Sequence, residues 1–232
     1  VPATQASSLT AERRSRPLRL AILISGGGSN MVAIARACAS GQIPAEVSVV
    51  IADQPGAGGI ERARQLHLPV EVVDRGAFRR AGRLDRAAFE AALEQALSKH
   101  DVDLVVLAGF MFVLSADFVA RYAGRMLNIH PSLLPRYTGL DTHARALAAG
   151  DRQHGASVHF VTAELDGGPL IVQAAVPVQP DDDIARLSAR VHAREHIIYP
   201  MAIQWLATGR LQWNGGRPLL DGEALREPVR HV

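Results

Sequence analysis

The chain has 232 residues, 48% hydrophobic, 21% charged and only 5% aromatic, with a formal net charge of +2 and a pI of about 9.1. This is a globular composition, with length for one large α/β domain or two small ones. The basic excess sits largely in Arg13, Arg14, Arg16 and Arg19, with no dense basic run interleaved with aromatics, so nucleic acid is not an expected partner while small anions remain compatible.

Val1 to Arg16 is polar and lacks the apolar stretch of a signal peptide, so residues 1–17 read as a loose tail ahead of one domain over 18–232. Leu18 to Ile24 is apolar except for Arg19, as a buried parallel strand would be. It ends in Ser25-Gly26-Gly27-Gly28-Ser29-Asn30, and a helix begins at Met31. Strand, glycine turn and helix form a phosphate cradle, because helix-start N–H groups and the helix dipole favour an anion. A purely structural glycine turn is the alternative. A dinucleotide site would need G-x-G-x-x-G, and Met31 occupies the third glycine position, although Asp53 mimics the ribose-binding acid. A single phosphate fits this shorter loop better than a pyrophosphate. Cys38, the only cysteine, lies in an Ala-rich helical stretch. It reads as a small packed side chain and fits a reducing, cytoplasmic setting.

Val47–Ala52 is the second strand, Ile60–Leu66 a helix, and Val70–Val73 the third strand. Asp85 can cap a helix over Arg86–Lys99 whose apolar face includes Phe89, Leu93 and Leu97. Leu104–Leu107 is a fourth, fully buried strand, followed by the small turn Ala108-Gly109 and an apolar wall, Phe110–Leu114. Ser115 can cap the next helix, and Arg125–His130 is the fifth strand. Alternating strands and helices to this point predict a Rossmann-like, doubly wound, mostly parallel sheet. Thr142–Ala149 then reads as a short helix, and Ala156–Val161 with Leu170–Val178 as an antiparallel hairpin about Leu165-Asp166-Gly167-Gly168-Pro169. Asp183 can cap a long helix to Thr208, and Leu211–Leu220 can form a terminal hairpin. No run approaches the ~18 apolar residues of a membrane span.

Asn128 and His130, two apart on a strand stopped by Pro131, point to one face at the sheet's rim, where open α/β sheets bind ligands. An amide donor and an imidazole suit a forming oxyanion. A satisfied polar pair at a strand end is the alternative. Asp166, in its glycine-flanked turn, is ordinarily a turn former. If that loop folds over Asn128 and His130, its carboxylate favours the imidazolium, and the three groups can polarise a carbonyl and move protons without a covalent intermediate. His130, His143, His154 and His159 show no helical metal-ligand spacing, so no metal is expected, and no G-x-S-x-G nucleophile elbow is present.

Five motifs occur in one order: Ser25–Asn30, Leu107-Ala-Gly-Phe-Met111, Asn128-Ile-His-Pro-Ser-Leu-Leu-Pro135, His154-Gly-Ala-Ser-Val-His159 and Leu165–Pro169. The ordered set, spanning about Leu18 to Leu220, resembles the folate-dependent phosphoribosylglycinamide formyltransferases of purine synthesis. The resemblance implies the formyltransferase fold, with a ribonucleotide-binding N-terminal half and a folate-binding C-terminal half. It implies direct formyl transfer from 10-formyltetrahydrofolate, a co-substrate, to the amine of glycinamide ribonucleotide. Catalysis would fall to Asn128, His130 and Asp166. The ribonucleotide phosphate would rest on Gly28, Ser29 and Asn30, and Glu195 would hold the ribose hydroxyls; a helix-surface charge is the alternative for Glu195. The reduced folate would meet Arg86, Met111, Phe112, Val113, Leu114, Asn128, Thr162, Ala163, Glu164, Leu165 and Asp166. Arg83 competes with Arg86 as the match for a tail-binding arginine, Phe112 stands where some members carry arginine, and the tail before Leu18 has no counterpart. The expected enzyme is a monomer or homodimer.

Two relatives share these core motifs. A methionyl-tRNA formyltransferase is expected to add a C-terminal RNA-binding domain, and a formyltetrahydrofolate deformylase an N-terminal regulatory one. A non-catalytic nucleotide-binding module is a third reading; it predicts nucleotide binding without folate binding.

Overall fold

The computed structural model describes residues 16–231. The first half runs β1 (Leu18–Ile24), α1 (Ser29–Ala39), β2 (Ala45–Ala52), α2 (Gly58–Gln65) and β3 (Val70–Val72). A 3-10 turn over Arg75–Phe78 leads into a small hairpin, β4 (Arg79–Arg80) and β5 (Arg83–Leu84). Then come α3 (Arg86–Ser98), β6 (Leu104–Leu107), α4 (Ala116–Arg121) and β7 (Met126–His130). The second half adds α5 (Thr142–Ala148), β8 (Gln153–Phe160), β9 (Leu170–Pro177) and α6 (Ile184–Ala207), then β10 (Leu211–Asn214), β11 (Arg217–Leu220), β12 (Glu223–Ala224) and β13 (Val229–His231).

The main sheet has the order β13-β9-β8-β7-β6-β1-β2-β3. Only β8 runs against its neighbours, so the expected antiparallel hairpin is inserted into an otherwise parallel sheet. The strand order reverses between β1 and β6, which opens a ligand crevice at their carboxyl ends. Both faces of the sheet are covered. Met31, Ile34, Ile60, Ile198 and Ile203 from α1, α2 and α6 pack on Ile22 and Ile24 from one side. Phe89 and Leu93 of α3 and Phe118 of α4 pack on Leu23, Val105 and Met126 from the other. Burial on two faces explains why β1 and β6 are apolar throughout rather than alternating. The predicted caps form: Asp85 accepts from the Ala88 N–H at 3.0 Å, Ser115 from Phe118 at 3.2 Å and Asp183 from Arg186 at 2.8 Å.

Several expectations need correction. Residues 1–15 of the expected tail lie outside the described residues, but Arg16 is not loose: its guanidinium binds Asp103 at 2.7 Å. The strand expected from Ala156 starts at Gln153, because its polar residues pair with β9. The terminal hairpin gains β12, and the chain then returns as β13 to pair with β9 in the main sheet. Cys38 packs as expected, and burial pushes its thiol up to about 11, away from nucleophilic use.

Candidate active site

On β7, Leu127 and Ile129 enter the α6-side core, while Asn128 and His130 continue the opposite face begun by Met126. Each meets a cross-strand partner on β8: Asn128 lies opposite His159, and His130 opposite Ser157. His130 is 6% exposed and its Nε2 lies 2.8 Å from the Tyr137 carbonyl. A carbonyl only accepts, so Nε2 carries a proton and Nδ1 is the nitrogen left for proton exchange. Nδ1 faces the Asp166 carboxylate at 3.5 Å. The loop carrying Asp166 therefore does reach His130.

Asp166 is held there by several contacts. Its Oδ2 accepts from the Gly139 N–H at 2.8 Å, tying the loop to the segment that also receives His130. Its own φ of +52° is left-handed, as are those of Tyr137 (+56°) and Asp141 (+57°), three strained non-glycine positions around one cluster. Gly168 lets the loop approach the sheet, since a Cβ there would lie 1.8 Å from the Phe160 carbonyl oxygen. Below the loop, the Ser157 hydroxyl donates to Ser132 O at 2.6 Å and accepts from Leu134 N–H at 3.1 Å and Gln173 Nε2 at 2.8 Å. That buried hydroxyl is fully satisfied and pins the segment after His130, which contains a cis Leu134–Pro135 peptide.

His159 is a site residue that the sequence reading quoted in a motif without giving it a role. Its Nδ1 donates to the Phe160 carbonyl at 2.9 Å, so its Nε2 lone pair accepts from Asn128 Nδ2 at 3.2 Å. Burial pushes the His159 ring below the ordinary histidine value, more than its Phe160 bond and the Asp166 charge raise it, which keeps it neutral and an acceptor. With one amide hydrogen committed to His159, the second N–H of Asn128 is oriented and free for a ligand.

Gly28, φ +71°, caps α1, and a Cβ there would lie 2.9 Å from the Gly59 Cα. The cradle is thus pressed against the start of α2, through Gly59 N–H to Gly26 O at 2.9 Å. The first-turn N–H groups of α1 have no intrahelical acceptors and face outward from this turn. Asn30 turns its side chain inward, donating to Glu195 at 2.8 Å, and its Oδ1 is buried without a protein partner. Glu195 is 2% exposed, which rules out the surface-charge alternative. Burial would raise its carboxyl, but the hydrogen bond and charge of His192, 2.8 Å away, and the Asn30 bond outweigh it, so its value falls below the ordinary one. Asp53 is fully buried and ion-paired to Arg75 at 3.1 Å, so it does not present a ribose-binding acid.

The segment expected to form the folate wall differs in exposure along its length. Met111 is 64% and Val113 53% exposed, whereas Leu114 is buried. Phe112 is gripped by two guanidinium groups, Arg86 at 5.0 Å and Arg75 at 5.9 Å from the ring centroid. Arg86 also donates to the Val113 carbonyl and Arg75 to that of Met111. Arg75 was not singled out in the sequence; its role depends on contacts to Asp53 and Met111 that no local pattern encodes. Across the site, Thr162 is half-buried, and Ala163, Glu164 and Leu165 are exposed. Of the seven exposed large apolar residues among those described, Met111, Val113, Leu140 and Leu165 lie on the three loops around the cluster, a concentration typical of a ligand surface. A separate cavity of about 350 Å³ shares Asp166 with the cluster but is otherwise lined by residues such as Leu134, Pro169 and Arg226, not by Asn128, His130 or residues 111–114. Among the described residues, no group of three or more His, Cys, Asp or Glu side chains is placed to hold a metal, and no helix is long and apolar enough to cross a membrane.

A family model for formyl transferases matches residues 18–203. The phosphoribosylglycinamide formyltransferase of Escherichia coli (strain K12) is 48% identical over 208 residues, 90% of this chain and 96% of that protein. The Haemophilus influenzae protein of the same name is 44% identical over 207 residues, 89% of this chain and 95% of that one. The structure of the phosphoribosylglycinamide formyltransferase of Coxiella burnetii superposes with a TM-score of 0.86 at 45% identity, covering 94% of this chain and 100% of that one. Matched over most of its length by the family model, and close to half identical to a bacterial member across nearly the whole of both proteins, the chain belongs to the formyl transferase family, among its phosphoribosylglycinamide formyltransferases.

Proposed function

We propose that this protein transfers the formyl group of 10-formyltetrahydrofolate directly to the amine of glycinamide ribonucleotide, in purine biosynthesis in the cytoplasm. Residues 18–232 act as one domain. The ribonucleotide phosphate rests on the backbone of Gly28, Ser29 and Asn30, and Glu195 receives the ribose hydroxyls. The reduced folate lies between residues 111–114 and the loop from Thr162 to Asp166, with Arg86 toward its tail. The amine attacks the formyl carbon. The developing oxyanion takes hydrogen bonds from the free Asn128 N–H and from His130 Nδ1–H, and Asp166 supplies the counter-charge. Collapse breaks the bond to folate N10, and the proton lost by the amine passes to N10 through a water held by Asp166. No covalent enzyme intermediate is needed.

The observation that carries this reading is the approach of Asp166 to His130 Nδ1 at 3.5 Å, the nitrogen left free by the Tyr137 contact. The test is to mix the purified protein with glycinamide ribonucleotide and 10-formyltetrahydrofolate and follow free tetrahydrofolate. Release that requires the ribonucleotide is expected. Release without it would mean hydrolysis and would overturn the reading.

A further inference from the structure

The segment after Pro135 touches both ends of the catalytic cluster. The Tyr137 carbonyl faces His130 Nε2 at 2.8 Å, and two residues on, the Gly139 N–H donates to Asp166 Oδ2 at 2.8 Å. Tyr137 reaches this geometry with a left-handed φ of +56°, a conformation a bulky residue keeps only when its surroundings impose it. What imposes it lies outside the cluster. The Tyr137 phenol donates to Asp151 Oδ2 at 2.8 Å and accepts from Arg136 Nη2 at 3.2 Å. Arg136 Nη2 also donates to Asp151 Oδ1 at 2.7 Å, which closes a ring of three side chains. Asp151 stands in the connection between α5 and β8, and its carboxylate is largely buried, whereas the Arg136 side chain is exposed. Burial works to raise the Asp151 carboxyl, but the Tyr137 and Arg136 hydrogen bonds outweigh it, so it lies below the ordinary value and stays an ionised acceptor. The backbone on both sides of Tyr137 is held as well: the Ser132 hydroxyl donates to the Arg136 carbonyl at 2.6 Å, and Arg145 to the Thr138 carbonyl at 2.6 Å.

We propose that Asp151 is a positioning residue for the reaction: by anchoring the Tyr137 phenol it fixes the backbone carbonyl that holds the His130 proton on Nε2. This rests on the reading of His130 as a reacting group. An imidazolium needs an acceptor for each N–H. With the Tyr137 carbonyl taking one, the other is left for the oxyanion beside Asp166. Without the phenol anchor, Tyr137 relaxes out of its left-handed conformation and its carbonyl leaves Nε2, so the neutral ring can carry its proton on either nitrogen. Asp151 thus acts on the chemistry from 14 residues beyond Tyr137, without touching a substrate.

The test reads the tautomer and the rate separately. Nitrogen-15 NMR of the histidine rings at alkaline pH, with the His130 signals assigned by difference against His130→Gln, reports the tautomer without turnover. Wild type is expected to show His130 as the Nε2–H form alone, and Tyr137→Phe and Asp151→Ala a mixture with the Nδ1–H form. In both variants kcat should fall by about fivefold to tenfold, the weight of one hydrogen bond felt in the transition state, with KM for both substrates unchanged. The double variant should be no slower than Asp151→Ala, because both changes break one bond. Asp151→Asn, which still offers the phenol an acceptor, should recover most of the rate and the single tautomer. A Tyr137→Phe protein with one tautomer and wild-type kcat overturns the inference, as does a fall in kcat with the tautomer unmoved. Tyr137→Phe removes a single oxygen, so it carries the test even if Asp151→Ala does not fold. If wild type transfers no formyl group, the proposed reaction fails, while the tautomer shift still decides the coupling of Asp151 to His130.

Discussion

Asn128 and His159 together show how an amide becomes a directed donor. Either residue alone at a strand end is unremarkable; placed opposite each other in the β7–β8 ladder, a neutral imidazole fixes one amide hydrogen and leaves the other uncommitted. Asn128→Ala should lower kcat about 10²–10³-fold, the usual cost of one oxyanion donor, with little change in KM for the ribonucleotide. His159→Ala should cost less, on the order of tenfold, because it loosens the donor without deleting it. His159→Gln, which retains an acceptor, should recover part of that loss. Single-turnover rates for the three variants separate the roles; a His159→Ala enzyme with wild-type kcat would show that the bond positions nothing. A second pair at this scale responds to pH. The His192 ring is raised by its hydrogen bond to Glu195, against burial, and Glu195 is lowered as described above. The contribution of His192 is complete below the ordinary histidine value of 6.5 and is lost as pH rises through its raised value; that of Glu195 is present above 4.5 and is lost as pH falls through its lowered value. Neighbouring His143 and His196 are both lowered, chiefly by burial, so they shift in the opposite direction to His192. The melting-temperature gap between wild type and His192→Ala should therefore be widest between these two values and should shrink toward pH 9. A gap constant across that range would show that the pair is not charged.

At the scale of elements, sequence periodicity was a good guide wherever burial was two-sided or a cap was local. β1, β6 and β7 announce themselves by apolar runs, and α3, α4 and α6 by Asp85, Ser115 and Asp183 at their N-caps. The β4–β5 hairpin left no such signal, because its short Arg-rich strands bury nothing and so show no alternation. The β8–β9 connection was legible through its glycines but not the reason for them. Each of the two glycines faces a different neighbour: a Cβ on Gly167 would meet the Glu164 side chain at 2.4 Å, which can move, whereas one on Gly168 would meet the Phe160 carbonyl, which cannot. Gly168→Ala should therefore displace the loop that presents Asp166. Overpacking of this kind costs about 1–3 kcal/mol, and in a chain of this size each kcal/mol lowers Tm by roughly 2–4 °C. Thermal melts should show that drop together with a loss of kcat, whereas Gly167→Ala should be nearly neutral in both. Equal tolerance at the two positions would show that loop closeness is not what holds the carboxylate.

For the molecule as a whole, the informative feature is how far the site's supports are spread along the chain. The catalytic candidates stood out because each is a polar group where local pattern predicts a strand end or a turn. Their supports did not, because Ser157, His159, Gln173 and Arg75 act through partners distant in sequence. The farthest support comes from the C-terminal strand. Arg230 on β13 donates to Gln173 Oε1, and Gln173 Nε2 donates to the Leu134 carbonyl at 2.8 Å and to the Ser157 hydroxyl at 2.8 Å. Gln173 is 1% exposed, so removing its partner strands a buried amide oxygen. Arg230→Ala should destabilise the fold by about 1–2 kcal/mol, near the lower end for a hydrogen bond to a charged group because the arginine is exposed. That corresponds to a fall of roughly 2–8 °C in Tm. Because the same amide pins the segment that follows His130, kcat should fall as well, although Arg230 is far from the reacting atoms in sequence. Arg230→Lys keeps the charge but not the reach of the guanidinium, so it should resemble the alanine variant more than wild type. If melting temperature falls and kcat is unchanged, the C-terminal strand closes the edge of β9 without steadying the site; if both move together, the sheet's last strand helps hold the loop that carries the chemistry.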